Sequence, residues 1–174
     1  MKTSLPPNTP PPVIAGCIDA CERCLAVIRS LTPEQFVAAA PGHSSVAAHL
    51  RHAIEHFVCF FNGLETGEID YDARERDPLL ESSPDAATGA LTAIRDGLLK
   101  FPCEALSSPI ELRLLPAPGL ESIVVTTSIE RELAYLASHT VHHVALAAMA
   151  AALQKIPTDA RLALAVSTGE YLSR

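Results

Sequence analysis

Apolar residues recur every three or four positions over four long stretches of the chain, and each stretch is bounded by residues that start or stop helices. The first covers about residues 11–30, with Val13, Ile14, Ile18 and Ile28 sharing a face with Cys17, Cys21 and Cys24. It ends before LTPEQF, where Thr32 caps a short turn and Pro33 takes its first position. The second covers about residues 45–64, with Val46, Leu50, Ile54, Phe57, Phe60 and Phe61 as its apolar set. Ser44 or Ser45 starts it, and Gly63 and Gly67 end it. The third, about residues 84–100, begins at Ser83 or Asp85 and carries Ala87, Leu91, Ile94, Leu98 and Leu99. The fourth, about residues 127–154, begins at Thr127 or Ser128 and stops before Pro157.

The connections differ in character. ETGEIDYDARERDPLLESSP is charged, lacks helical periodicity and reads as a long polar loop. IELRLL and SIVVTTS alternate and are rich in β-branched residues, which predicts two short strands forming a hairpin. A final short helix is expected from Asp159 to Val166. Residues 1–10 read as a flexible proline-rich arm, and residues 11–174 as a single domain without internal repeats. The pattern predicts an all-α protein: a four-helix bundle, a long polar loop after the second helix and a short β-hairpin before the fourth.

Composition narrows the setting. The formal net charge of the 174 residues is −7, and no lysine- or arginine-rich run occurs, which argues against nucleic acid and anionic membrane as partners. The longest apolar run, Val144 to Leu153, is too short to span a bilayer, and the N-terminal stretch lacks the apolar segment of a secretion signal. The five cysteines are an odd number and read as reduced thiols, so the expected compartment is the cytoplasm. Cys17, Cys21 and Cys24 fall at i, i+4 and i+7, where small buried side chains are the better reading than a metal cluster.

The chemistry lies in the histidines. Four of the seven, His43, His49, His52 and His56, fall in or just before the second helix; His139, His142 and His143 fall in the fourth. A helix turns about 100° per residue, so His139 and His143 point about 40° apart, one turn removed, as in a two-point metal clamp. His142 sits about 60° to the other side of His139. His49, His52 and His56 lie within about 60° of one another. Any of them can supply a third nitrogen if the two helices pack side by side, and His52 is central in that row. Several imidazoles buried without partners would each cost about 1–3 kcal/mol, a cost that a shared cation removes.

SSVAAHLRH, with Ser45 seven residues before His52, and HTVHH, which contains His139 and His143, together resemble the DinB-like (DinB/YfiT-like) superfamily of metalloenzymes. IDYDARERD, from Ile69 to Asp77, is similar to a segment of one bacterial branch of that family. The resemblance covers most of residues 11–155; many relatives carry Gly-Gln after the last histidine, where this chain has Val144 and Ala145. It implies a four-helix bundle and a divalent metal held by His52, His139 and His143, with His49, His56 and His142 as runners-up. It also implies thiol-dependent S-transfer or isomerisation with low-molecular-weight thiols.

Three neutral imidazoles suit zinc, the first choice in the cell; nickel is the second candidate, in a purified sample, because nitrogen-only sites bind it well. Three protein ligands leave coordination positions open, which is the mark of a catalytic site. Hydrolysis by bound hydroxide and transfer of a bound thiolate both follow from such a site. A non-catalytic metal- or small-ligand-binding bundle is the alternative, and a plain helical scaffold is a third reading. Glu55, three residues after His52, is a candidate outer acceptor or general base, although a solvent-facing carboxylate is the simpler expectation. Arg74 or Arg76, in a polar loop with Tyr71 and Asp72, is a candidate to hold a substrate carboxylate, against the simpler expectation of a solvated loop with local ion pairs. The alanine-rich fourth helix permits close helix contact and suggests a homodimer.

Overall fold

The computed structural model describes residues 10–173, so most of the predicted N-terminal arm lies outside the described residues. The four periodic stretches form helices α1 (Pro12–Arg29), α3 (Val46–Thr66), α5 (Pro84–Leu99) and α6 (Ile129–Leu153). A five-residue α2 (Pro33–Val37) lies between the first two, closed by a capping box in which Thr32 and Gln35 satisfy each other's backbone amides. Ser45, Ser83 and Ser128 cap α3, α5 and α6 by accepting from the amides of Ala48, Ala86 and Arg131.

α6 packs against α1 and α3, and α5 packs against the same two helices from the other side. The space between them is filled by Ile14, Leu25, Leu50, Phe57, Phe60, Leu91, Leu98, Leu133 and Leu136, all essentially inaccessible to solvent. Cys17, Cys21 and Cys24 are buried in this core as expected, and burial pushes Cys17 and Cys24 up to about 12. Leu99, placed on the apolar stripe by the sequence, is instead 60% exposed at the end of α5. By length and composition α6 meets the requirement for crossing a membrane, with a mean hydropathy of 1.3 over its best window. The core helix of a soluble protein meets the same requirement, and here Leu133, Leu136, Val144 and Ala147 of α6 are buried in the common core.

The structure is not all-α. A three-stranded sheet of order β1-β2-β3 lies beside the helices, made of β1 (Glu68–Asp70), β2 (Pro109–Leu114) and β3 (Ile123–Ser128). β2 and β3 form the expected antiparallel hairpin. β1 is an addition: it pairs parallel to β2, with Ile69 opposite Leu112, inside the stretch that reads as a loop. Arg113 of β2 clamps Glu68 of β1 through two bonds of 2.8 and 2.9 Å. The same stretch also forms α4 (Pro78–Ser82), capped by Asp77. These elements are too short to show periodicity and gain their stability from partners distant in sequence.

Two further corrections concern ends. Gly63 does not terminate α3; it lies buried in its last turns, and Gly67 alone closes the helix, with φ of 85° in the left-handed region. The expected helix from Asp159 to Val166 is a single 3₁₀ turn over Ala160–Ala163, followed by α7 (Val166–Leu172), which the sequence pattern did not suggest.

Candidate metal centre

The side-by-side packing of α3 and α6 brings the two histidine rows face to face. One ring nitrogen from each of His52, His56 and His139 lies within 4.8 Å of the others, close enough for all three to bind one metal ion. The Nε2 atoms of His52 and His139 are 3.1 Å apart. Two nitrogens at zinc bond lengths of 2.0–2.1 Å and a tetrahedral angle stand about 3.3 Å apart, so this pair already has the spacing of co-ligands. His56 donates from Nδ1–H to the His52 carbonyl at 2.8 Å. That bond fixes its tautomer and leaves Nε2 with a free lone pair, the form a metal requires.

His56, a runner-up in the sequence reading, therefore belongs to the compact set. His143 stands beside it, its ring centroid 4.2 Å from that of His52 and 4.6 Å from that of His139. Its Nδ1 is buried without a hydrogen-bond partner. His49 is further out, 5.8 Å from His143 between ring centroids, and His142 is exposed with its ring edge-on to His143 at 5.3 Å. His43 is exposed in the turn ahead of α3. A groove of about 870 Å³ between α1, α6 and the start of α7 includes His142 but none of His52, His56 and His139.

Aromatic and carboxylate groups close one side of the cluster. Tyr71 stacks on the His56 ring at 5.2 Å and 18°, and Tyr135 stacks on His139 at 5.1 Å and 24°. The Tyr71 hydroxyl donates to Glu132 at 3.1 Å. Glu132 is fully buried and accepts further bonds from Thr127 Oγ1 at 2.9 Å and from Arg131 at 2.8 Å. Burial and the Glu132 charge push the Tyr71 phenol far up, so it stays a neutral donor.

Glu132 and Tyr135 were missed by the sequence reading. Glu132 precedes His139 by seven residues and Tyr135 precedes it by four, so the spacing already placed both on the histidine face of the helix.

Glu55 departs from the simpler expectation: only 5% exposed, it accepts from the Asp77 amide at 2.7 Å and stands 3.9 Å from Arg74 Nε. Arg74 also donates to the Tyr71 carbonyl, and its side chain is 15% exposed. The loop is thus fastened to the helices at Tyr71 and Arg74 and open to solvent at Asp72 and Arg76, whose backbone takes a left-handed φ of 55°.

All four central imidazoles are held neutral. His52 and His139 are pushed down to about 3, and His56 and His143 to about 4. Burial is the largest cause at each ring. Neighbouring imidazoles add to it at His52, His139 and His143, and the Arg74 guanidinium adds at all four; at His56 the bond to the His52 carbonyl and the Asp72 charge oppose it. The pH dependence follows with a definite sign. The unfolded chain binds protons near pH 6.5 that the folded metal-free protein refuses. Unfolding therefore takes up protons, and metal-free stability falls as the pH drops from about 6.5 toward 4. Metal affinity of the folded protein stays level between pH 7.5 and about 5, where an open histidine site loses about tenfold per ligand per pH unit below 6.5. Calorimetric titration with zinc in buffers of different ionisation enthalpy checks this, with less than about one proton released per ion at pH 6.

The fold and site define a mostly helical protein with a three-histidine group able to hold a metal ion. No protein-family model matches the chain, and no curated protein or solved structure is significantly similar to it.

Proposed function

We propose that this protein is a metal-dependent enzyme of the DinB-like type, built on a four-helix bundle, with zinc as its resident ion. The observation that carries the reading is the convergence of His52, His56 and His139 from two helices, with His143 against them. All are neutral at pH 7, and His56 has its Nδ1–H committed to the His52 carbonyl. Nitrogen-only donors favour zinc or nickel over magnesium and calcium, which take oxygen. Such an ion lowers the pKa of a bound water or thiol, supplying hydroxide for hydrolysis or thiolate for transfer to an electrophile. A small-molecule thiol as co-substrate is the first reaction class to test.

The chain's own residues supply the remainder. Glu55 is a buried carboxylate one turn from His52 in sequence; it holds the Asp77 amide and faces Arg74, and so ties the loop after β1 to α3. Arg74, beside Tyr71 and in the field of all four imidazoles, is better placed than Arg76 to meet an anionic part of a substrate. The stacked rings of Tyr71 and Tyr135 exclude water from one side of the cluster.

The experiment is metal analysis of protein purified without an immobilised-nickel step, followed by a turnover screen of the zinc-loaded protein with small thiols and electrophiles. One equivalent of zinc and thiol consumption above the metal-free control are expected. Stoichiometric metal with no turnover turns the assignment to a binding module, and absence of stoichiometric metal removes it.

A further inference from the structure

The two borders of the sheet differ. The β1 border lies against α3, where Ile69 meets Gly63. β3 forms the other border, and its Ile123, Val124, Val125 and Thr126 are all exposed. The Glu111 amide donates to the Gly67 carbonyl at 3.3 Å, toward β1, so the β2 residues bonded to β3 are Ile110, Leu112 and Leu114. Opposite them stand Thr127, Val125 and Ile123. The amides and carbonyls of Val124 and Thr126 therefore point away from the sheet, and they have no backbone partner among the described residues. Side chains follow the same alternation. Val125 and Ile123 share the inner face with the buried Ile110 and Leu112, yet are 38% and 46% exposed.

Open edges are normally protected by a proline, a bulge or a charged side chain, because they template pairing with another strand. β3 has none of these. It pairs with β2 in unbroken register from Ile123 to Ser128, and the chain from Ser122 to Ser128 holds no proline and no charged residue. We propose that β3 is a self-recognition edge: a second copy of this chain lays its own β3 antiparallel against it, joining the two sheets into one across a twofold axis.

A second copy fits this edge better than an unrelated segment because the edge is complementary to itself. With the axis at Val124, Val124 meets Val124 of the second copy, and Ile123 and Val125 meet Val125 and Ile123. The exposed apolar residues of β3 then cover one another on both faces of the joined sheet. The outward amide and carbonyl of Val124 bond to their counterparts, and those of Thr126 meet Ser122. Charge favours the same strip. Each chain carries a net −7, so two copies repel on approach. Along this strand the first acidic residue, Glu121, comes to face Thr127, and no carboxylate of one β3 faces a carboxylate of the other. The contact is therefore distinct from the alanine-rich face of α6 that the sequence suggests. One strand pair buries less than the ~1,200–2,000 Å² of a standard interface, so a dissociation constant of about 1–100 µM is expected.

The test is sedimentation equilibrium of the full chain over about 1–500 µM, spanning that constant. The parent is expected to dimerise. Val124→Lys and Val124→Glu are each expected to raise the dissociation constant at least about tenfold, because two like charges then face each other on the axis. An equimolar mixture of the two variants is expected to dimerise within about threefold of the parental constant, since opposite charges then meet. Only a register that sets the two 124 side chains opposite each other gives that recovery. A parent that stays monomeric, a Val124→Lys that dimerises like the parent, or a mixture no better than its components overturns the inference. Circular dichroism and melting temperature check that the variants fold. Should they not fold, amide exchange of the parent decides. Protection at Val124 and Thr126 that is lost on dilution, while that of Val125 persists, supports the inference, and any other pattern overturns it.

Discussion

His139→Ala is expected to abolish stoichiometric metal, lowering zinc affinity by well over the roughly 100-fold that marks the upper end of an outer partner's effect. The reason is geometric. His139 is the one histidine of α6 in the compact set, and its Nε2 is 3.1 Å from that of His52. Without it, His52 and His56 remain on a single helix, and only His143 is left to reach across from α6. His52→Ala is expected to be equally severe. His56→Ala and His143→Ala are the informative pair, and the tautomer-locked His56 is expected to show the larger loss. His43→Ala, an exposed ring in the turn before α3, serves as the control and should bind zinc like the parent. Direct titration against a chromophoric zinc chelator measures all five. Parental affinity in both His52→Ala and His139→Ala would remove the site from consideration.

The second large effect concerns a glycine that the sequence pattern misplaces. A Cβ at Gly63 would sit 2.5 Å from Ile69 Cγ1 and 2.8 Å from Ile69 Cα, so the obstacle is partly backbone and cannot swing aside. Gly63→Val is therefore expected to push β1 off α3 and to cost about 2–3 kcal/mol. In a domain of this size that is a fall of about 5–10 °C in melting temperature. Because β1 leads directly into Tyr71, zinc affinity is expected to weaken with it. Gly89→Ala is the matched control. It lies in α5 with nothing within 4 Å of its added Cβ, and should stabilise by about 0.5–1 kcal/mol through better helix propensity. Thermal melts of the two variants beside the parent test the contrast, and a Gly63→Val melt within 2 °C of the parent would refute it.

Much of this fold is written locally. The four long helices, the capping role of Ser45, Ser83 and Ser128, the Thr32–Pro33 turn and the β2–β3 hairpin all follow from periodicity and capping chemistry within a few residues. The site is legible in the same way, because i, i+4 spacing on a helix fixes which histidines share a face. The stretch from Glu65 to Pro84 is not legible. Its charge suggests solvent, yet Ile69 and Tyr71 are buried there and Arg74 is mostly so. β1 exists because β2, more than forty residues later, offers it a parallel edge, and because Gly63 leaves room for Ile69. No local pattern encodes either condition.

The sequence by itself determined that two rows of imidazoles would stand on two amphipathic helices, since backbone periodicity alone sets which side chains share a face. The tertiary structure decided how those rows meet. It chose the compact set of His52, His56 and His139, buried Glu55 and Glu132, and laid Tyr71 against His56. Those choices depend on the offset of one helix along another and on the path of a short strand. Both are set by the packing of many distant side chains at once, and a shift of a single turn would bring a different set of nitrogens together.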